Sequence, residues 1–131
     1  MFSEKEIAYL KSQRLARIAT VSPDGQPDVA PVGFQFDGER FFIGGIDIKR
    51  TLKYKNVKSN PRVALAIDDL QSVDPWTPRG IKIHGTASIV QREGHLGAGE
   101  YIAIMPERYW SWGIDAPTFD QGKPVMKKER V

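Results

Sequence analysis

The stretch LARIATVSPDGQPDVAPVGFQFDG, Leu15–Gly38, carries the signals that decide the fold. Its first seven residues are apolar or β-branched and predict a strand over Leu15–Val21. The tetrapeptide SPDG that follows has the composition of a turn. A second strand is predicted over Asp28–Phe36. The dipeptide Asp37-Gly38 is a strong hairpin signal, and it predicts a return strand over Arg40–Gly45.

The flanking sequence predicts helices and further strands around this meander. Ser3 and Glu6 form a capping box, which predicts a helix over Glu4–Gln13. Downstream, the pattern predicts a basic helix, two strands, a second helix and a last short strand. In chain order these are Arg50–Ser59, Arg62–Asp68, Gly80–Gln91, Leu96–Met105 and the segment RYWSWGID, with a loop between Asp68 and Gly80.

Short strands joined by tight turns, without a βαβ rhythm, favour a mostly β (α+β) fold. We expect an antiparallel six-stranded split β-barrel with short peripheral helices. The 131 residues correspond to a single domain, 1–131, with a polar tail from about 117 to 131.

Composition excludes several kinds of protein. The chain is 40% hydrophobic and 27% charged, which is typical of a globular protein rather than a disordered one. It has no cysteine, so disulfides, thiolate nucleophiles and cysteine-bound metals are excluded. The N-terminus lacks the pattern of a signal peptide, and no apolar run reaches the roughly 20 residues of a membrane span. We therefore expect a cytoplasmic protein that binds no membrane.

A cluster of positive charge is the most specific feature of the sequence. From Lys49 to Ile67 there are six basic residues and no acidic one, although the net charge is only +3. Arg50 and Lys53 lie on one face near the predicted start of a helix, where amide groups and the helix dipole favour an anion. Lys49 or Lys55 could close such a cradle from the side.

Two other interpretations of the basic segment remain open. It could be the solvated face of an ordinary helix, since most lysine-rich runs only contribute solubility. It could also contact nucleic acid, but the acidic residues that follow closely and the lack of a recognition helix argue against this. We therefore expect no nucleic-acid partner.

Other polar and aromatic residues give weaker signals. A single histidine within a strand, such as His84, is more often structural than catalytic, and His95 is expected in solvent. No metal site is predicted from two such distant histidines. The roles of Trp76, Trp110 and Trp112 are left open, although Trp110 and Trp112 should share one face of a strand.

These motifs together resemble one protein family. The capped helix, the stretch Leu15–Gly38, FFIGG and the segment KNVKSNPRVALAI are similar to the pyridoxamine 5′-phosphate oxidase-like split β-barrel family. The later segments DDLQSVDPW, RGIKIHGTA and SWGID resemble its branch of deazaflavin (coenzyme F-420)-dependent enzymes. The likeness covers roughly Phe2 to Val90 well, and the branch rests on the shorter motifs.

The resemblance implies an oxidoreductase that moves a hydride between coenzyme F-420, an 8-hydroxy-5-deazaflavin, and a small organic acceptor. It also implies a homodimer with the cofactor at the subunit interface. Two strand segments would contact the ring, and the basic helix would hold the phosphate. The implied cofactor-binding residues are Pro31, Val32, Gly33, Phe34, Ile43, Gly44, Gly45, Arg50, Lys53, Lys55 and Asn56; the catalytic residues are not indicated.

One departure from the family pattern bears on the cofactor. Many members that bind flavin mononucleotide (FMN) have Ser-Arg-Lys at the head of the basic helix, whereas this chain has Thr51-Leu52-Lys53. The missing arginine would be a bidentate phosphate partner. The alternatives are an FMN-dependent oxidase or reductase of the same fold, and a non-catalytic module that binds a flavin or tetrapyrrole.

Overall fold

The first helix begins at the predicted cap. The computed structural model describes all 131 residues, and α1 spans Glu4–Ser12. The Ser3 side chain accepts from the Glu6 amide at 3.1 Å, and the Glu6 carboxylate accepts from the Ser3 amide at 2.8 Å. The capping box is confirmed. Glu6 also reaches β7, as described below.

Strands account for most of the remaining chain, as predicted. The first meander contains β1, β2, β3 and β4, and a single 3₁₀ turn and the second helix, α2, precede the longer strands. The bounds are β1 Leu15–Val21, β2 Pro27–Gly33, β3 Gln35–Phe36, β4 Phe41–Ile43, the 3₁₀ turn Ile48–Arg50, α2 Leu52–Ser59, β5 Arg62–Ser72, β6 Thr77–Gly94, β7 Gly97–Trp112, β8 Phe119–Asp120, β9 Lys123–Pro124 and β10 Lys127–Arg130.

The main sheet is antiparallel and closes on itself. Its strands follow the order β2-β1-β5-β6-β7-β4-β3, and β10 pairs with the far end of β7. The first and last strands of this order, β2 and β3, are separated in the chain only by Phe34. The sheet must therefore curl until its two ends meet, which gives a barrel. The mostly β, antiparallel class is confirmed, with eight strands in the sheet rather than six.

Two predicted elements are wrong. Leu96–Met105 is not a helix: Gly97 begins β7, the partner of β6 in a long hairpin. Residues Tyr101 to Ile104 form an apolar run whose four side chains are all buried, so periodicity alone could not separate strand from helix. The predicted loop between Asp68 and Gly80 is also mostly strand, because β5 continues to Ser72 and β6 starts at Thr77.

The barrel interior forms one hydrophobic cluster of 21 buried residues from both helices and the inward faces of the strands. Leu10, Ile43, Ile67, Ile83 and Tyr109 are fully buried. None of the helices is long and apolar enough to span a membrane.

Candidate functional site

The position of α2 is fixed from both sides. Thr51 caps the helix: its hydroxyl accepts from the Tyr54 amide at 3.4 Å and donates to the Ile48 carbonyl at 2.6 Å. On the inner face, the Asn56 side chain donates to the Thr20 hydroxyl at 3.0 Å, and both residues are buried. This bond ties α2 to the end of β1.

The basic residues around α2 fall into two groups. Lys49 forms an ion pair with Glu100 at 3.5 Å, and the ammonium of Lys58 lies 5.5 Å from the centre of the Tyr54 ring. Tyr54 donates to the other Glu100 oxygen at 2.5 Å, and this hydrogen bond holds the pKa of Glu100 below its usual range. These residues are occupied by contacts within the chain.

Three cations make no such contact. Arg50, Lys53 and Lys55 have no ion pair and no side-chain hydrogen bond within the chain. Arg50 and Lys55 are exposed, and Lys53 is half-buried.

Asn56 differs from the other predicted phosphate ligands. It is only 1% exposed, and its amide is directed towards Thr20 in the interior. In this structure Asn56 therefore positions α2. The resemblance implies Asn56 as a phosphate ligand. In the structure its side-chain amide makes a hydrogen bond in the interior instead.

The strand residues predicted to contact a ring divide between the two faces of the sheet. Pro31 and Gly33 are exposed on the outer face of β2. Val32 is buried in the core, and Phe34 packs 6.0 Å from the Phe41 ring at the bend between β2 and β3. Only backbone atoms of Val32 are available to a ligand on the outside.

The Tyr101 ring packs directly against the backbone at the end of β4. Ile43 is fully buried. A Cβ on Gly44 would lie 2.5 Å from Cε2 of Tyr101, so this glycine is required by the tyrosine ring. The Tyr101 hydroxyl accepts from the Leu96 amide at 3.0 Å and donates to the Gly97 carbonyl at 2.7 Å. Local sequence does not reveal this contact, because it forms only when Tyr101 lies in β7 rather than in the predicted helix.

Gly45 lines an open cavity of about 240 Å³ between the 3₁₀ turn and the β6–β7 turn. Lys49 and Glu100 line the same cavity. The cavity therefore lies next to the ion pair and the start of α2.

The strand register arranges the outer face of the barrel in rows. Directly opposed residues in antiparallel strands share a face. One row runs across six strands: Val29, Ala19, Ala64, His84, Arg108 and Arg130. The next row is Pro31, Arg17, Ala66, Lys82, Trp110 and Lys128. We call these the first and second outer rows.

The first outer row is apolar on β2, β1 and β5 and basic on β6, β7 and β10. Its β2, β1 and β5 positions carry small or apolar residues, and Val29 is 67% exposed. Thr20, the residue that anchors α2, immediately follows Ala19 in the chain. An apolar surface therefore lies on the outer face of β1, and α2 is anchored through Thr20 on the inner face of the same strand. This combination is suited to a planar ring that carries a phosphate.

Comparisons with known proteins agree with the fold. The family model of pyridoxamine 5′-phosphate oxidase matches residues 2–130. A curated relative, 5a,11a-dehydrotetracycline/5a,11a-dehydrooxytetracycline reductase from Streptomyces rimosus, is 42% identical over 121 residues, which is 87% of this chain and 84% of that protein.

Solved structures are similar at lower sequence identity. An F420 reductase is 22% identical with a TM-score of 0.65, over 83% of this chain and 98% of its own. HutZ, the heme storage protein from Vibrio cholerae, is 18% identical with a TM-score of 0.63, over 93% of this chain and 99% of its own. At these identities the likeness concerns the fold, and the two names show that the fold serves different ligands.

Proposed function

The chain belongs to the pyridoxamine 5′-phosphate oxidase family, and from this premise we propose that it is a reductase that uses coenzyme F-420. It would transfer a hydride from the reduced deazaflavin to a small organic acceptor. The 42% identity to a curated reductase over 87% of this chain supports an enzymatic role. The F420 reductase of the same fold is consistent with the cofactor.

The observation that carries the proposal is the set of three free cations at α2 and in the 3₁₀ turn before it. Arg50, Lys53 and Lys55 are unpaired, whereas neighbouring Lys49 has a carboxylate partner. A phosphate would accept charge-assisted hydrogen bonds from them. Free amides in the first turn of the helix would add to the attraction for an anion. These side chains therefore suit a phosphate-bearing cofactor.

The ring of the cofactor would lie on the apolar half of the first outer row. Ala19 and Ala64 present little side-chain bulk there, and Pro31 lies beside them in the second outer row. We propose that a second copy of the chain covers this face, in a homodimer with the cofactor between subunits. Exposed apolar residues on β1 and β2, Leu15 at 55% and Val29 at 67%, support a covered face.

Deazaflavin is preferred over FMN because of residue 52. Leu52 stands where many FMN-binding members of the family have arginine, and its side chain is 52% exposed. A leucine there supplies no hydrogen bond to phosphate. Arg50 and Lys53 would hold the phosphate with fewer bidentate contacts.

The acceptor class follows from the curated relative, whose name denotes the reduction of dehydro compounds. We propose a carbon–carbon double bond as the group reduced. The bound cofactor supplies the hydride, while this chain binds, orients and excludes water.

The test is the oxidation of reduced coenzyme F-420, followed by absorbance, with 5a,11a-dehydrotetracycline and a panel of simple enones as acceptors. Turnover with F-420, absent when reduced FMN replaces it, is the expected result. Lys53→Gln should raise the cofactor KM, while Lys58→Gln, on the same helix, should not. Tight F-420 binding without turnover across the panel would contradict the reductase and favour a non-catalytic binder.

A further inference from the structure

The basic half of the first outer row borders the proposed ring site, since Arg62, His84 and Glu107 also line an open cavity of about 260 Å³ with Ala19 and Ala64, whereas Arg108 and Arg130 lie outside that cavity. His84, Arg108 and Arg130 are directly opposed on β6, β7 and β10. Arg62 lies diagonally from His84, because it pairs with Thr86 two residues along β6. These four side chains and Glu107 line one open polar cavity of about 360 Å³.

The charges in this cavity are not neutralised within the chain. Arg62, Arg108 and Arg130 form no ion pair and donate no side-chain hydrogen bond. Glu107 is the one acidic residue of the lining, and it accepts from the Thr86 hydroxyl at 2.7 Å. Three guanidinium groups against one carboxylate leave two net positive charges with His84 neutral.

Repulsion between these neighbouring positive charges lowers the stability of the folded chain. Like charges directly opposite each other on antiparallel strands destabilise the pair, and Arg108 and Arg130 are such a pair. Burial and the nearby cations Lys82, Arg108 and Arg62 lower the pKa of His84, which shows the same crowding of positive charge. A bound anion would remove the repulsion.

The surroundings extend the positive field. In the second outer row, Lys82 lies 4.3 Å and Lys128 5.7 Å from the centre of the Trp110 ring, and the His84 ring lies 4.7 Å from it. Trp110 of the second row thus contacts His84 of the first row.

We propose that the Arg62–His84–Arg108–Arg130 cavity is a second anion site, for a ligand whose oxyanion groups carry at least two negative charges. Guanidinium groups bind phosphate and carboxylate in the same bidentate manner, so the shared chemistry is a multiply charged oxyanion. The site lies beyond the C-terminal end of α2, since Arg62 follows the helix by three residues. The free cation Arg50 lies just before its other end, and the helix between them is about 12 Å long.

The experiment uses the full cofactor-free chain at about 0.15 M salt, where weak surface attraction is screened. Calorimetric titrations with inorganic pyrophosphate and with tri-L-glutamate separate a phosphate ligand from a polycarboxylate one. We expect one of the two to bind, and Arg108→Gln to weaken it about tenfold or more. Lys58→Gln, which removes a cation of α2 that lies outside the proposed phosphate cradle, should leave this binding within about twofold.

Thermal unfolding gives an independent readout that does not depend on the titration. Without anion, Arg108→Gln should unfold at or above the wild-type temperature, because it relieves the repulsion. The anion should raise the midpoint of the wild type and not of the variant. If Arg108→Gln does not fold, Arg130→Gln on exposed β10 serves in its place. The proposal is overturned if neither anion binds, or if binding is lost in Lys58→Gln and kept in the arginine variant.

Discussion

Replacing Glu6 by glutamine should destabilise the protein more than any other single change of charge on α1. The Glu6 carboxylate is fully buried and accepts four hydrogen bonds. Its Oε1 accepts from the Ser3 amide at 2.8 Å, the Tyr109 hydroxyl at 2.8 Å and the Lys127 ammonium at 3.2 Å. Its Oε2 accepts from the Ser111 hydroxyl at 2.6 Å. The network joins both ends of the chain to β7.

The size of the effect follows from these contacts. In Glu6→Gln the amide oxygen can replace Oε1, and the amide nitrogen can donate to Ser111 instead of accepting. Every contact remains possible, but three lose an ionised acceptor. A hydrogen bond to a charged group is worth about 1 kcal/mol more than a neutral one. We therefore expect a loss of about 3 kcal/mol in the free energy of unfolding.

The same network predicts the effect of acid. Burial acts to raise the pKa of Glu6, but the hydrogen bonds from Ser111, Ser3 and Tyr109 outweigh it and lower the pKa below the usual 4.5. A lowered folded-state pKa stabilises the protein above about 4.5, and this contribution is lost as the pH falls through the folded value. The difference between wild type and Glu6→Gln should accordingly narrow below pH 4.5.

Urea unfolding at neutral pH measures the difference, with unchanged slopes as the check that both proteins unfold in the same way. Glu4→Gln is the matched control, because Glu4 lies in the same helical turn and is exposed. It should change stability by less than about 0.5 kcal/mol. If the two variants agree within 1 kcal/mol, or if the Glu6 difference does not depend on pH, the network contributes less than the structure implies.

Three further predictions concern α2 and β4. Lys53→Gln should weaken cofactor binding by about 1–3 kcal/mol, through loss of a charged hydrogen bond, while Lys58→Gln should not; equal effects in calorimetry would contradict the cradle. Gly44→Ala should cost about 1–3 kcal/mol of stability by overpacking, and Gly33→Ala less than about 0.5 kcal/mol; urea midpoints compare them. Asn56→Ala should lower stability by about 1–3 kcal/mol by removing a buried hydrogen bond, and an unchanged midpoint would assign Asn56 to ligand binding.

The parts of the fold that follow from neighbouring residues could be predicted from the sequence. The capping box at Ser3 and the hairpin signal at Asp37-Gly38 act over three or four residues, and both are found in the structure. The apolar run at Tyr101–Ile104 is predicted as a helix, since its periodicity does not distinguish helix from strand. It is a strand because it pairs with β6 and β4. Long-range pairing decides such segments.

The candidate site shows the same limit. The excess of positive charge around α2 is visible in the sequence. The sequence does not show that Glu100, 51 residues further along the chain, pairs with Lys49, whereas Arg50 and Lys53 have no such partner. The burial of Asn56 depends on Thr20 in a distant strand. The four basic residues of the second anion site lie on four different strands, so no local motif announces them.

Fluorescence titration of the cofactor-free protein with coenzyme F-420, and separately with FMN, tests the cofactor assignment most directly. Tight binding of F-420, weak binding of FMN, and loss of F-420 affinity in Lys53→Gln are the results expected for a deazaflavin held by α2. Tight binding of FMN alone would contradict the assignment of coenzyme F-420 and favour an FMN-dependent enzyme of the same family. Binding of neither would return the basic helix to a solvated surface.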